Sequence, residues 1–217
     1  MSFPLSPVIT FNRTPTVEYV TTTPGNNGGT VTVPSPTEAD RYIIYVTARS
    51  SIGVSLTSCT IGGIAAEVAS SGVSSFACAK VPTGTSIVIS TTYASGSGSG
   101  SSYCGFVYVA YGLESPIWRA VNYNIGNPAS ATITVPEGGL VFAPAWIDND
   151  GMTPVFTENS GQGIILDVET DNGNSFGLAS AHVNALTTTG QSDNLNVTCQ
   201  ITVANVSGCY MGLGVLR

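Results

Sequence analysis

Charge is what this sequence has least of. Lys and Arg number six and Asp and Glu thirteen, so only 9% of the 217 residues are charged, against about 25% in an ordinary globular chain. Six scattered cations cannot match a run of phosphates, which excludes a nucleic-acid backbone as a partner. The net charge of −7 argues equally against an anionic membrane surface. No apolar run approaches the roughly 20 residues of a membrane span, and "MSFPLSPVITF" has neither the basic start nor the apolar core of a secretory signal. Histidine occurs once, as His182 in "LASAHVNAL". No motif places a Ser, Cys or acid beside it, so it reads as an ordinary strand residue. GxSxG, HExxH, CxxC, P-loop and dinucleotide fingerprints are all missing, and the chain is expected not to be an enzyme and to hold no cofactor.

Helical patterning is missing too. No long stretch keeps apolar residues at i, i+3, i+4 and i+7. What is present is a succession of β-branched runs, "TVTV", "SIVIST", "ATITV", "GIILDVET" and "LNVTCQITV", bounded by Gly, Pro, Asn or Asp. The hydrophobic fraction of 42% and the recurrence of these runs exclude disorder. The fold class is therefore all-β, a sandwich of the jelly-roll or immunoglobulin-like kind. With so few charges, Ser, Thr, Asn and Gly must supply the wet surface.

The order of strands is repeated. "TVTVP" at 30–34 returns as "TITVP" at 132–136, "RYIIYVTAR" is answered by "GLVFAPAWID", "SSFACAKV" by "SFGLASAHV", and "YCGFVYVAYGL" by "GCYMGLGVLR". The period is far longer than a solenoid unit, so two tandem β-sandwich repeats are expected, over 14–113 and 114–217, after an N-terminal arm at 1–13. A single sandwich with pseudo-twofold symmetry fits the same pattern. Pro4 and Pro7 make the arm an extended segment suited to docking on a neighbour. "ASGSGSGSS" at 94–102 reads as a hairpin loop, and "GLESP" at 112–116 as the join between repeats.

Five cysteines leave at least one without an intrachain partner. Cys104 and Cys209 fall at matched places in apolar strands and read as buried thiols. Cys199 and Cys209 flank an apparent hairpin and are the candidates for an intrachain disulfide. Cys59, beside a turn, is the expected exposed thiol, and with Cys78 is a candidate for a disulfide to another subunit. Trp118, Trp146 and Tyr103 are candidates for a glycan platform or a subunit interface. Asp148 and Asp150 lack the first ligand of a calcium loop. Asp167, Glu169 and Asp171 alternate, and so share a face if one regular strand contains them. Solvated acids are the simpler reading of both sets, and no metal site is assigned.

The stretch "TVTVPSPTEADRYIIYVTARSS", followed by "CTIGGIAAEVA", "FACAKVPTGTSIVIST" and "YCGFVYVAYGL", resembles small β-sandwich modules of tailed-phage and prophage virion surface proteins. The resemblance covers residues 28–113, and the second repeat only by its echo of the first, where "IGG" and "PTG" are lost. It implies a structural component of a bacteriophage virion, made in the host cytoplasm. The role it implies is a capsid decoration or minor capsid protein, with collar or tail-fibre protein and carbohydrate-binding adhesin as alternatives. The implied partners are the major capsid protein or a neighbouring structural protein, together with further copies of the chain, a trimer being the expected homo-oligomer. A low-charge surface with exposed strand edges suits a protein covered by neighbours.

Overall fold

The computed structural model of the chain describes residues 14–24, 28–49, 52–53, 55–94, 103–148, 153–171, 177–185, 194–204, 206 and 208–217. The arm at 1–13 and most of the serine-glycine stretch lie outside the described residues. All regular elements described are strands. The first half holds β1 (Thr16–Pro24), β2 (Gly28–Thr32), β3 (Tyr42–Arg49), β4 (Leu56–Ile61), β5 (Ile64–Ala65), β6 (Glu67–Ser71), β7 (Ser74–Lys80), β8 (Ser86–Tyr93) and β9 (Tyr103–Tyr111). The second holds β10 (Ala120–Gly126), β11 (Ala129–Pro136), β12 (Leu140–Ile147), β13 (Val155–Glu158), β14 (Ile164–Asp171), β15 (Gly177–Val183), β16 (Asn194–Thr202) and β17 (Cys209–Leu216).

These strands form four antiparallel sheets. The first half contributes an inner sheet, β1-β9-β3-β7-β6, and an outer sheet, β2-β8-β4-β5. The second contributes an inner sheet, β10-β17-β12-β15-β14, and an outer sheet, β11-β16-β13. Successive strands mostly alternate between inner and outer sheet, the wrapping of a jelly roll. The exceptions are β4, β6 and β14, each of which pairs with the strand that follows it, and the step from β9 to β10, which passes from one inner sheet to the other. The strand order of the two inner sheets is the same, with β3 and β12 at their centres.

Three apolar clusters stack the sheets into four layers. One lies between the first outer and inner sheets, one between the second inner and outer sheets, and the third between the two inner sheets, drawing on both halves. An inner sheet covered on both faces has no wet side, which is why "YIIYVTAR" and "LVFAPAWI" are buried at every position. The outer strands alternate instead: Ile87 and Ile89 of β8 point inward while Val88 is 51% exposed. No strand residue of the first outer sheet is charged, and Glu158 is the one charged strand residue of the second.

Glu158 has a local task. Its carboxylate accepts the N–H of Ser160 and the N–H of Gly163, the latter at 2.8 Å, and so closes the turn into β14. Burial pushes this carboxyl up, but the hydrogen bonds from Ser160, Gly163 and Gly161 outweigh it and hold it below the usual carboxylate range. A lowered folded-state pKa gives stabilisation that is present above the unfolded value and lost as pH falls through the folded one. Glu158→Gln is therefore expected to lower the melting temperature at neutral pH. The gap from the parent should narrow as pH falls from the unfolded carboxylate value through the folded one, and a gap constant with pH in a calorimetric series would refute this assignment.

Candidate functional site

The chemistry-bearing side chains meet in the seam between the two inner sheets. Tyr108 projects into it from β9, and Ser180 and His182, two apart on β15, project from the opposite sheet. Between them comes Asp167. The pairing of β14 with β15 matches Leu166 to Ala181 and then Val168 to Ser180, so Asp167 is the extra residue of a β-bulge. A bulge redirects its side chain, and this one turns an acid from the edge strand into the seam. The regular strand that would have set Asp167, Glu169 and Asp171 on one face is thereby broken. Asp167 is 4% exposed at its side chain, whereas Glu169 is exposed and the side chain of Asp171 lies outside the described residues.

The contacts form a chain with the carboxylate inside it. The Tyr108 hydroxyl donates to Asp167 Oδ2 at 2.9 Å and accepts from the Ser180 hydroxyl at 2.5 Å. His182 Nδ1 donates to Asp167 Oδ1 at 2.7 Å, which fixes the proton on Nδ1. Burial first, and then the charge of Asp167, push the Tyr108 phenol well above its ordinary value, so it remains a donor. Tyr19 packs edge-on against Tyr108 with centroids 5.6 Å apart, and Phe142 does so from the other side at 5.1 Å. Ser180 is 0% exposed, so this is a polar clasp between the halves and not an open nucleophile. Sequence reading left His182 without an acid because only the bulge brings Asp167 to it.

Removing the Tyr108 hydroxyl leaves Ser180 and Asp167 each short of a buried partner. Tyr108→Phe is expected to cost about 1–3 kcal/mol, seen as a lower urea midpoint with an unchanged slope. An unmoved midpoint would mean the clasp contributes no stability.

The aromatic candidates belong to the same seam. Trp118 packs on Phe76 and Phe142 with centroids 5.0 and 5.9 Å apart. Trp146 is 4% exposed within the cluster between the inner sheets. Both tryptophans pack at the seam between the halves, Trp146 buried and Trp118 partly buried. The side chain of Tyr103 lies outside the described residues.

The cysteines require corrections. All five are free and buried. Cys59, expected exposed, is 3% exposed because it points inward from β4 against the first half's core, and Cys78 is 0% exposed at the seam. Neither can reach another subunit from those positions. Cys199 and Cys209 do not flank a hairpin: β16 is in the outer sheet and β17 in the inner one. Nor do Cys104 and Cys209 match. Tyr42 faces Ala110 and Leu140 faces Leu216 across equivalent strand pairs, so the counterpart of Cys104 is Tyr210. Burial pushes the Cys59, Cys104 and Cys199 thiols up to about 12 and Cys209 to about 11. A thiol reagent at pH 8 is therefore expected to find no reactive group in the folded chain and all five in guanidinium. Rapid reaction of even one thiol in the native state would contradict the buried placement.

Among the described residues no three His, Cys, Asp or Glu side chains come together as a metal set. Asp148 is exposed at the end of β12, and Asp150 lies outside the described residues. No family model, no curated protein and no solved structure matches this chain.

Proposed function

We propose that this chain is a non-enzymatic structural component of a bacteriophage virion, a capsid decoration or minor capsid protein that stabilises the particle through its contacts. The observation that carries the reading is how little charge the strands of the two outer sheets carry, Glu158 alone among them being charged. Thr30, Thr32, Ser86 and Ser90 on one, and Thr132, Thr134, Thr157 and Thr202 on the other, offer hydroxyls that neighbours can cover without burying an ion. Such depletion of charge is what the buried centre of a protein interface shows. The sequence resemblance to phage surface modules supports the same role, and collar or tail fibre are variants of it. With every thiol buried, the contacts are noncovalent. The seam supports the reading as well, since its polar groups serve to hold the body together.

Mass spectrometry of purified particles tests the proposal. The chain is expected at a fixed stoichiometry to the major capsid protein after density-gradient purification. Its absence from particles, with the protein remaining in the lysate, would overturn the reading.

A further inference from the structure

The few carboxylates that lie on strands are not scattered. In the two inner sheets Glu18 stands on β1, Glu67 on β6, and Asp167, Glu169 and Asp171 on β14, and all three strands are sheet edges. The six central strands of those sheets carry no acid. Burial on both faces accounts for the central strands, but exposure alone does not account for the edges. The outer strands also present exposed positions, among them Thr30, Thr32, Val88, Ser90, Thr132 and Thr134, where an acid would be solvated. Their single acid is Glu158, which closes a turn.

An edge strand offers unpaired N–H and C=O groups to any other strand, and a charge on the edge opposes that pairing. We propose that Glu18, Glu67 and Glu169 keep the inner sheets of one copy of this chain from adding, edge to edge, to those of a second copy. All three side chains are exposed, so they are what an incoming strand meets. The need for such a guard is plain on β14, where Ile165 and Leu166 are 44% and 41% exposed and would favour a covering strand.

The arrangement sets acid against acid. β1 lies over β14, since Val17, Tyr19 and Val168 share the seam cluster, so Glu18 and Glu169 guard the same flank. β6 lies over β10 on the other flank: a Cβ on Gly72, just after β6, would stand 2.8 Å from Cζ of Tyr123. Glu67 guards β6. β10 has no acid, but Asn122 Nδ2 donates to the Thr132 carbonyl of β11 at 2.7 Å and turns that edge against the chain's own outer sheet. None of the four edge strands carries Lys or Arg, so an incoming carboxylate finds no cation on them. β1, β6 and β14 can meet one another only by setting carboxylates together, and like charges on paired strands are destabilising, the more so as pairing takes them out of water. Bulges add to the guard. β1 is irregular between Tyr19 and Thr21 and β14 between Leu166 and Val168, so neither presents an even ladder.

Sedimentation of the full chain tests this. A variant carrying E18Q, E67Q and E169Q loses the three charges and keeps the side-chain shapes. Its weight-average mass is expected to exceed the parent's at equal concentration by about twofold or more, because edges that add head to tail do not close. A second variant, E114Q with E137Q and D148N, makes the same change in charge at exposed acids outside the strands, and is expected to sediment as the parent does. An unmoved mass in the edge variant, with the parent's melting temperature showing it folded, would overturn the proposal. Equal association of both variants would overturn it too, since net charge and not its placement would then be responsible. Hydrogen exchange locates the contact: in the associated edge variant, amides of residues 16–19, 67–71 or 164–168 are expected to slow on the order of tenfold. Slowing confined to the outer sheets would overturn the assignment. The inference uses the placement of charge alone, so its failure would leave the proposed function standing.

Discussion

Arg41→Ala is expected to destabilise the protein by about 3–5 kcal/mol, among the largest losses from any single truncation here. The side chain stands at the mouth of β3, fully buried. It spends its whole fork on backbone carbonyls: Nε donates to Val81 at 2.8 Å, Nη1 to Pro34 at 2.8 Å, and Nη2 to Thr83 and Gly84, each at 2.8 Å. Two loops, one leading into β3 and one joining β7 to β8, are thereby held by a single cation. Neither loop has ladder partners for those carbonyls, so truncation strands acceptors inside the protein, where each lost partner is costly. Arg41→Lys is expected to recover only part of the loss, because an ammonium cannot reproduce the planar spread of donors. Urea denaturation of both variants measures the effect. A loss below about 1 kcal/mol for the alanine variant would show that water replaces the guanidinium without penalty.

Gly214→Ala, which adds a single methyl group, is expected to cost about 3 kcal/mol. A Cβ at Gly214 would lie 2.6 Å from Cδ1 of Phe76 and 2.9 Å from Cζ3 of Trp118. The position has a counterpart across the seam. Tyr108 faces Ile44 and Gly214 faces Phe142, while Phe76 faces Val46 and Ser180 faces Pro144, so Tyr108 corresponds to Gly214 and Phe76 to Ser180. Where one half is large, the other is small, on both sides of the seam. Tyr108 sits over Ser180, and Phe76 over Gly214. Each inner sheet therefore fits the other and not a copy of itself, because two first-half sheets would set Tyr108 against Phe76. Gly214→Ala combined with Phe76→Leu is expected to cost less than the sum of the two changes, by about 0.5–3 kcal/mol in a double-mutant cycle. Strict additivity would mean that the two positions do not share the space.

Much of the fold was legible because strands announce themselves locally. β-branched runs between Gly, Pro and Asn gave the class, and the echoes of "TVTVP" and "RYIIYVTAR" fall on β2 with β11 and on β3 with β12. Register was another matter. Matching Cys104 to Cys209 was wrong by one residue, and in a strand one residue exchanges the faces. Cys104 accordingly lies in the seam and Cys209 in the core between the second inner and outer sheets. Cys59 looked exposed because a turn follows it, but exposure is decided by which face of β4 the side chain takes, and that face is covered.

The candidate site was legible only as separate residues. His182 and Asp167 stand fifteen positions apart, and Tyr108 a further fifty-nine from Asp167. No spacing rule joins them, because the bulge that turns Asp167 inward forms against β15 and the tyrosine arrives from the other half of the chain. Composition and pattern, which depend on neighbours along the chain, determined that this protein is all-β and that its surface is hydroxyl-rich and nearly uncharged. Only the tertiary structure decided which strands would be covered on both faces, which thiols would be inert and which polar groups would meet, since those outcomes depend on what packs across a sheet from residues distant in sequence.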